Sequence, residues 1–455
     1  MKKILHFYFG LSLLALQLRA QTDDAVMIRS LYNEALRNGQ TDANLYYLTS
    51  RIGSRISGSL QAQKTVDWSK KVLAQYRPDS VYLQPVTVPH WERGAQERSY
   101  YTSKGRQVKM DVCALGGSVG TNGVLTAGVV EVKSWAALEA LEDKEVQGKF
   151  VFFNRAMDPA EIEVFKAYLA AVDQRSQGAI AAARRGAIGA LVRSLTLAKD
   201  DFPHTGAVSY DSSVKKIPAA ALSTNSADLL SEALRQDRLL QYSLHMQCRQ
   251  LPDVQSYNVI AEIKGTKYPG EYVTVGAHLD TWDLSEGASD DGTGVVQAME
   301  VLRLFRATGL APERTVRIIL YMNEEAGAHG AVEYAKQAVL KKEKHVAVIE
   351  SDAGGFMPRG FRIETTAAAM SQFVKWSNWF KPYKVDNIAL QQRGVDLVPM
   401  KGLATALISL DCDDSRLFDI HHSALDTYDK INPREVAMGA AAMAAMVALI
   451  SKYGL

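Results

Sequence analysis

Apolar residues recur along this chain in two rhythms, and the switch between them maps its architecture. From Tyr257 onward, short runs rich in Val, Ile and Leu alternate with longer stretches of helical period. The runs YNVIAEIKG, EYVTVGAH, TVRIILYMN, HVAVIES and TALISLDC predict strands; Gly292 to Arg306, Gly330 to Leu340, Met370 to Phe380 and Pro433 to Tyr453 predict helices. Regular alternation of the two predicts an α/β layer structure. The last helix is well marked, with Asn432 as N-cap and Pro433 at the first helical position. Its Ala- and Met-rich faces predict core packing.

Upstream the rhythm is less regular. Ala25 to Arg37 and Ser59 to Tyr76 carry helical patterning, while Ser80 to Arg93 and Ser99 to Val112 alternate as strands do. The glycine-rich stretch from Gly116 to Gly123 reads as a loop or hinge. It lacks the strand-then-helix setting, and the following GKS or GKT, of a phosphate-binding loop. From Val124 to Met246 short strands (VLTAGVVEV, KFVFFN, AIGALVRS, IPAAALS) alternate with helices at Gln174 to Arg185 and Asn225 to Arg235. No cluster of metal-ligand residue types occurs there, so the segment reads as an inserted, non-catalytic α/β module. The expected division is 21–115 for the first part of the main domain, 116–252 for the insert, and 253–455 for the rest.

A chain of 455 residues exceeds one simple core, which agrees with such a division. Its first twenty residues form a separate unit: Lys2 and Lys3, an uncharged and mostly apolar run from Ile4 to Leu18, then Arg19 and Ala20. That order is a secretory signal peptide cut after Ala20, and the run is short of the about 20 residues a membrane span needs. Export to the periplasm or beyond, with no stable span after cleavage, is the expectation. Removing Lys2, Lys3 and Arg19 takes the formal charge from +2 to −1, which leaves no electrostatic case for nucleic acid or an anionic membrane. Three cysteines exclude a disulfide scaffold and leave room for one staple between Cys113 and Cys248.

The chemistry collects at strand ends. His278 follows VTVGA, Glu324 and Glu325 follow RIILYMN, Asp352 follows VAVIES, and His422 lies in the loop after ALISL. Asp290 sits in the SDDGTG turn that opens a helix. Taken singly, each has an ordinary structural role: a loop histidine, a helix cap, a solvated strand end. In an open α/β sheet, however, functional groups gather beyond the carboxyl ends of strands. Two imidazoles and three carboxylates delivered to one sheet edge are the donor set of a two-zinc hydrolytic site. Asp290 is the natural bridging carboxylate. Glu324 is then free to act as general base toward a metal-activated water and to pass the proton to the leaving amine. Asp280, two residues after His278, can orient that imidazole. Cobalt and manganese suit the same ligands.

At these residues the chain resembles the co-catalytic zinc aminopeptidase family, through HLDTWDLSEGASDDGTG, NEEAGAHGA, ESDAGGFMP and HHSALDT. The insert segments RSQGAIAAARRGAIGALVRS, PHTGAVSYD and KKIPAAALS look like the protease-associated insert of such enzymes. The resemblance runs from about Arg51 to the C-terminus. It implies a zinc-exopeptidase α/β fold, a mixed central sheet flanked by helices with an inserted protease-associated domain. It implies two zinc ions per chain, one on His278 and Asp352, the other on Glu325 and His422, with Asp290 between them. Glu324 would be the base and Asp280 a supporting acid, and the Asp290–Asp291 peptide would be cis. His422 is chosen over His421 because the family places its ligand four residues before the Asp, here Asp426. The implied activity is hydrolysis of unblocked dipeptides or short peptides at a free terminus, and a homodimer is a further expectation. The stretch Gln391 to Met400 departs from the family pattern and bears on substrate preference. Two competing readings are a single-zinc transferase of the glutaminyl cyclase kind, against which the insert argues, and a non-catalytic binding protein, against which the intact ligand set argues.

Overall fold

The computed structural model describes residues 23–95, 97–352 and 354–455; the signal peptide assigned to residues 1–20 lies outside them. Eight strands form the central sheet: β1 (Ser80–Glu92), β2 (Arg249–Ile263), β3 (Tyr268–His278), β4 (Arg314–Tyr321), β5 (Lys344–Glu350), β6 (Pro358–Thr365), β7 (Asn387–Leu390) and β8 (Ala404–Cys412). Their spatial order is β1-β2-β4-β3-β5-β8-β6-β7. The four central strands β4, β3, β5 and β8 run parallel. Strands β1, β2 and β6 pair antiparallel on either side, so the sheet is mixed, as expected. The central strands are buried along almost their whole apolar runs, because helices cover both faces.

One face carries α1 (Leu60–Gln75), α2 (Thr293–Ala307) and α5 (Pro433–Tyr453) in a common core. The other carries α3 (His329–Leu340), packed through Ala331, Tyr334 and Ala335 against Ile260, Ile319, Tyr321 and Val348. Helix α5 is long and apolar enough to cross a membrane, yet 89% of its most apolar window is buried inside the protein. Its alanines explain this: small side chains let α5 lie close to α2, where Gln297 donates to the Val436 carbonyl and accepts from Ser351. Asn432 caps α5 by accepting from the Arg434 N–H, as its sequence predicts. α4 (Ala367–Phe380) begins at Thr366, which accepts from the Ala369 N–H.

Strands β6 and β7 are not announced by the apolar rhythm. β6 opens on Pro358-Arg359-Gly360, and β7 is four residues long and largely exposed at the sheet edge. The alternation over Ser99 to Val112 is broken by Lys104 and Gly105, both at positive φ, into the hairpin Glu97–Ser103 and Arg106–Lys109. That hairpin joins Gln241–Met246 and Leu125–Ala127 in a four-stranded sheet, while Val112–Ala114 enters a five-stranded one with four strands between Val129 and Leu222. Pairing within the insert therefore starts at Glu97, ahead of the glycine loop where composition changes. The reason is register: Glu97 to Thr102 pair with Met246 to Gln241, which ties the hairpin to the far end of the insert. Cys113 and Cys248 are both buried and free, so the staple the sequence allowed is not formed.

Candidate metal centre

The residues singled out at strand ends converge at one edge of the central sheet. His278 ends β3, Glu324 and Glu325 lie in the turn after β4, and Asp352 stands two residues past β5. His422 follows the short helix Leu417–Ile420 beyond β8, at φ 61°. Asp290 lies in the tight turn Ala288–Gly292 that feeds α2. The Asp290–Asp291 peptide is cis, as the resemblance implied.

Asp290 stands between two half-sites. Its Oδ1 is 3.2 Å from His278 Nε2, and its Oδ2 is 3.2 Å from His422 Nε2. His278 Nε2 is also 3.7 Å from Asp352 Oδ1, and His422 Nε2 is 3.2 Å from Glu325 Oε2. Each imidazole is turned by a backbone carbonyl on its other nitrogen. His278 Nδ1 lies 3.0 Å from the Asp280 carbonyl and His422 Nδ1 lies 3.3 Å from the Thr205 carbonyl. A carbonyl only accepts, so His278 Nδ1 carries the proton; His422 Nδ1 also has Arg175 Nη1 at 3.4 Å, and in both rings Nε2 is the nitrogen turned to the centre.

The donors fit a pair of divalent cations. His278 Nε2 and Glu325 Oε1 are buried without a hydrogen-bond partner, which is costly unless something else satisfies them. Four carboxylates (Asp290, Glu324, Glu325, Asp352) face two imidazoles that are neutral as ligands, and two divalent ions balance that charge. The electrostatics agree. Burial, reinforced by neighbouring acids, pushes the Glu325 and Asp352 carboxyls up, and Glu324 rises well above the ordinary range for the same reasons. Burial works against ionised Asp290 too, but the His278 and His422 imidazoles on either side hold it well below the usual carboxylate range.

His421 is the less suitable of the adjacent histidines. Its Nε2 is 3.5 Å from Asp290 Oδ2, and its ring stacks on His422 with centroids 3.6 Å apart. Asp280 supports the site differently from the sequence expectation. Its carbonyl, rather than its carboxylate, meets His278 Nδ1, the carboxylate oxygen being 3.9 Å away. The carboxylate instead accepts from the Asn323 and Glu324 N–H groups at 2.7 and 3.0 Å, which fixes the turn bearing Glu324.

Several supporting residues were not singled out from sequence. Asp291 accepts from the His278 and Gly294 N–H groups, and Asp426 from those of Ser289 and Asp290. Arg55, fully buried, donates to the carbonyls of Leu279, Glu286 and Gly287 in the loop between His278 and Asp290. From the insert, the Thr205 N–H donates to the His422 carbonyl at 2.8 Å, and His204 Nδ1 lies 2.6 Å from the His421 carbonyl. Only the landmark spacing of Asp426 was a usable signal; the others arrive from distant parts of the chain. Insert residues Phe165, Tyr168 and Arg175, together with Arg393, wall a cavity over Asp290, Glu324 and Glu325. Its volume is about 200 Å³, below the roughly 300–1,000 Å³ of drug-sized ligand sites.

An open α/β sheet that holds two imidazole–carboxylate half-sites around one shared carboxylate, roofed by an inserted module, is the body of a two-metal hydrolase. The chain belongs to peptidase family M28, whose model matches residues 258–447. It is 36% identical to Carboxypeptidase Q of Xenopus laevis, over 84% of this chain and 79% of that one. With Carboxypeptidase Q of Homo sapiens it shares 32% identity, over 92% and 86% respectively. A solved peptidase M28 precursor from Shewanella amazonensis SB2B superposes with a TM-score of 0.90 at 33% identity, covering 94% of this chain and 97% of that one. The zinc aminopeptidase of Bacillus subtilis shares the fold, with a TM-score of 0.66 at 19% identity over 92% and 97%. The chain is thus a zinc-dependent exopeptidase acting on peptides, with two metals per chain, and an exported one.

Proposed function

We propose that this centre hydrolyses the peptide bond of unblocked dipeptides and short peptides. The observation that carries the reading is Asp290, whose two oxygens each face a different imidazole at 3.2 Å. His278 and Asp352 would hold one metal and Glu325 and His422 the other, with Asp290 shared between them. His422 serves rather than His421 because it alone meets Glu325 as well as Asp290. Two such ions, when bound, supply Lewis acidity and an activated water.

The chain's own residues do the rest. Glu324 is the general base. Asp280 pins its backbone N–H, and burial among Glu325, Asp352 and Asp290 raises its affinity for a proton. A carboxyl that holds a proton readily can take one from the nucleophile and return it to the leaving amine. Asp280 orients both this base and, through its carbonyl, the His278 ring. Phe165, Tyr168 and Arg175 of the insert narrow the cavity, which favours substrates of two or three residues. The expectation of a homodimer is supported by exposed apolar side chains at Val332, Val339 and Leu340 on α3, and at Leu390 and Val398.

Paired variants test the roles. Glu324→Gln keeps two metals by mass-spectrometric metal analysis and loses at least about a hundredfold in turnover of a dipeptide; near-normal turnover would sink the base assignment. Asp290→Ala loses metal as well as activity, and two retained ions would show that Asp290 is not the bridge.

A further inference from the structure

Most charged groups on the cavity wall already have a task. Asp290, Glu325, Asp352 and His422 are ligands, Glu324 is the base, and His421 is stacked on His422. Two charged groups remain, and both are cations: Arg175 and Arg393. Among the described residues, no unassigned carboxylate lines this cavity to receive an ammonium group. In the adjoining recess, which shares Asp352 and Arg393, the acids Asp411 and Asp414 are tied to Arg362 and Arg393.

Arg393 is held in place without being used up. Its guanidinium lies over the Phe165 ring at 4.6 Å, donating to Glu163 at 3.0 Å and to Asp414 at 3.3 Å. Glu163 is also claimed by Lys166 and Arg362, while Asp414 pairs with Arg393 itself, so these acids fix the guanidinium through Nη1 and Nη2 and leave its remaining N–H groups open. The Nε–H of Arg393 makes no hydrogen bond to the described residues, which leaves a charged donor for a carboxylate. Arg175 adds to the field. It is buried, makes no ion pair among the described residues, and donates to the Tyr168 hydroxyl at 2.8 Å. Its Nη1 lies 3.4 Å from His422 Nδ1, so it stands behind a ligand and is a positioning residue rather than the docking group.

We propose that Arg393 binds the free α-carboxylate of the substrate, so that this exopeptidase reads the carboxyl end of a dipeptide, with the oppositely charged wall of Arg175 and Arg393 set against it. The inference rests on the exopeptidase reading and adds the terminus and the residue that recognises it. It also assigns a task to Phe165 and Glu163: the insert aims Arg393 into the cavity.

The test uses the zinc-loaded enzyme with an apolar dipeptide and with the same dipeptide as its C-terminal amide. Wild type prefers the free acid by about 10- to 100-fold in kcat/KM, the range of a charge-assisted hydrogen bond, mostly through KM. Arg393→Met lowers kcat/KM for the acid by that factor and for the amide by several-fold less, so the preference collapses, while two bound metals by mass-spectrometric analysis show a folded variant. Arg393→Lys recovers part of the preference. Equal cleavage of acid and amide by wild type, or an equal loss on both in Arg393→Met, overturns the assignment and leaves the exopeptidase standing. Cleavage of neither substrate by wild type overturns the exopeptidase reading, and this inference with it.

Discussion

Arg55→Met isolates how the fold holds the metal centre in place. Arg55 is 0% exposed and spans three carbonyls, those of Leu279 and Glu286 at 2.7 Å and Gly287 at 3.0 Å. Each hydrogen bond from a charged donor contributes about 1.5–3 kcal/mol net. Against their sum stands the cost of keeping a guanidinium out of water, several kcal/mol; burial draws Arg55 down to about 10, partly offset by Asp426, Asp291, Asp280 and Asp290. Methionine has a similar length, so the cavity term is small. The balance is a loss of roughly 3 kcal/mol, since the three carbonyls become orphans while the removed charge refunds only part. At roughly 1–2 °C per kcal/mol for a chain of this size, the apo protein should melt about 3–6 °C lower. Function follows, because the loop from Leu279 to Gly287 joins His278 to Asp290. Removing such an outer support typically weakens metal binding about 10- to 100-fold. Removing a cation beside four acids acts in the opposite direction and favours metal. Chelator-competition titration with zinc decides between them, beside thermal denaturation of the chelator-treated protein. The expected outcome is a lower melting temperature together with weaker zinc binding, and Arg55→Lys should recover little, because one ammonium cannot reach three carbonyls. Unchanged melting, or tighter zinc, would refute the view that these bonds place the ligands.

Two further outcomes are expected. Against the upward push of burial, hydrogen bonds from His345 and Arg317 hold Glu343 at about 2, below its ordinary 4.5. A depressed carboxyl adds stability that is complete above pH 4.5 and lost as pH falls through about 2. That is worth ~3 kcal/mol at 1.36 per pH unit, cut to ~2 for partial solvent access. Wild type should therefore lose melting temperature over that window, while Glu343→Gln melts lower at neutral pH and changes less on acidification; parallel melting curves would refute the ion-pair account. Sedimentation equilibrium should find twice the monomer mass, reduced to monomer by Leu340→Asp; a monomer at all micromolar concentrations would end the dimer reading.

The central strands and the metal centre were legible in the sequence for one physical reason. Strands β3, β4, β5 and β8 are buried on both faces, so each is an unbroken apolar run, and the polar residue that ends each run lies at the sheet's functional edge. His278, Glu324, Glu325 and Asp352 are visible because the chain changes character at those positions. Asp280 was visible as a supporting acid, but its work was not: which of its oxygens meets which hydrogen is a matter of turn geometry, and the carboxylate serves the Glu324 turn instead of the His278 ring. Edge strands such as β7 need no apolar run, since one side has no partner and the face is wet, and they leave little trace.

The rest was hidden because it depends on contacts between segments far apart in the chain. Arg55 meets Gly287 across 232 positions, and Arg175 meets His422 across 247. An arginine in a helix reads as a solvated charge until the fold shows that it is buried beside a ligand. The insert illustrates the consequence. Read by itself it has no metal-ligand cluster, and it was expected to be non-catalytic, which fits its lack of donors. Yet its Thr205 carbonyl and Arg175 lie against His422 Nδ1 and turn that ring, and its Glu163 and Phe165 hold Arg393. The metal centre therefore belongs to the central sheet in its donors and to both modules in its geometry. On the proposed ligand set, detaching the insert would leave all five donor side chains in the chain while removing the groups that turn one of them, so the proposed centre needs both modules despite their separate hydrophobic cores.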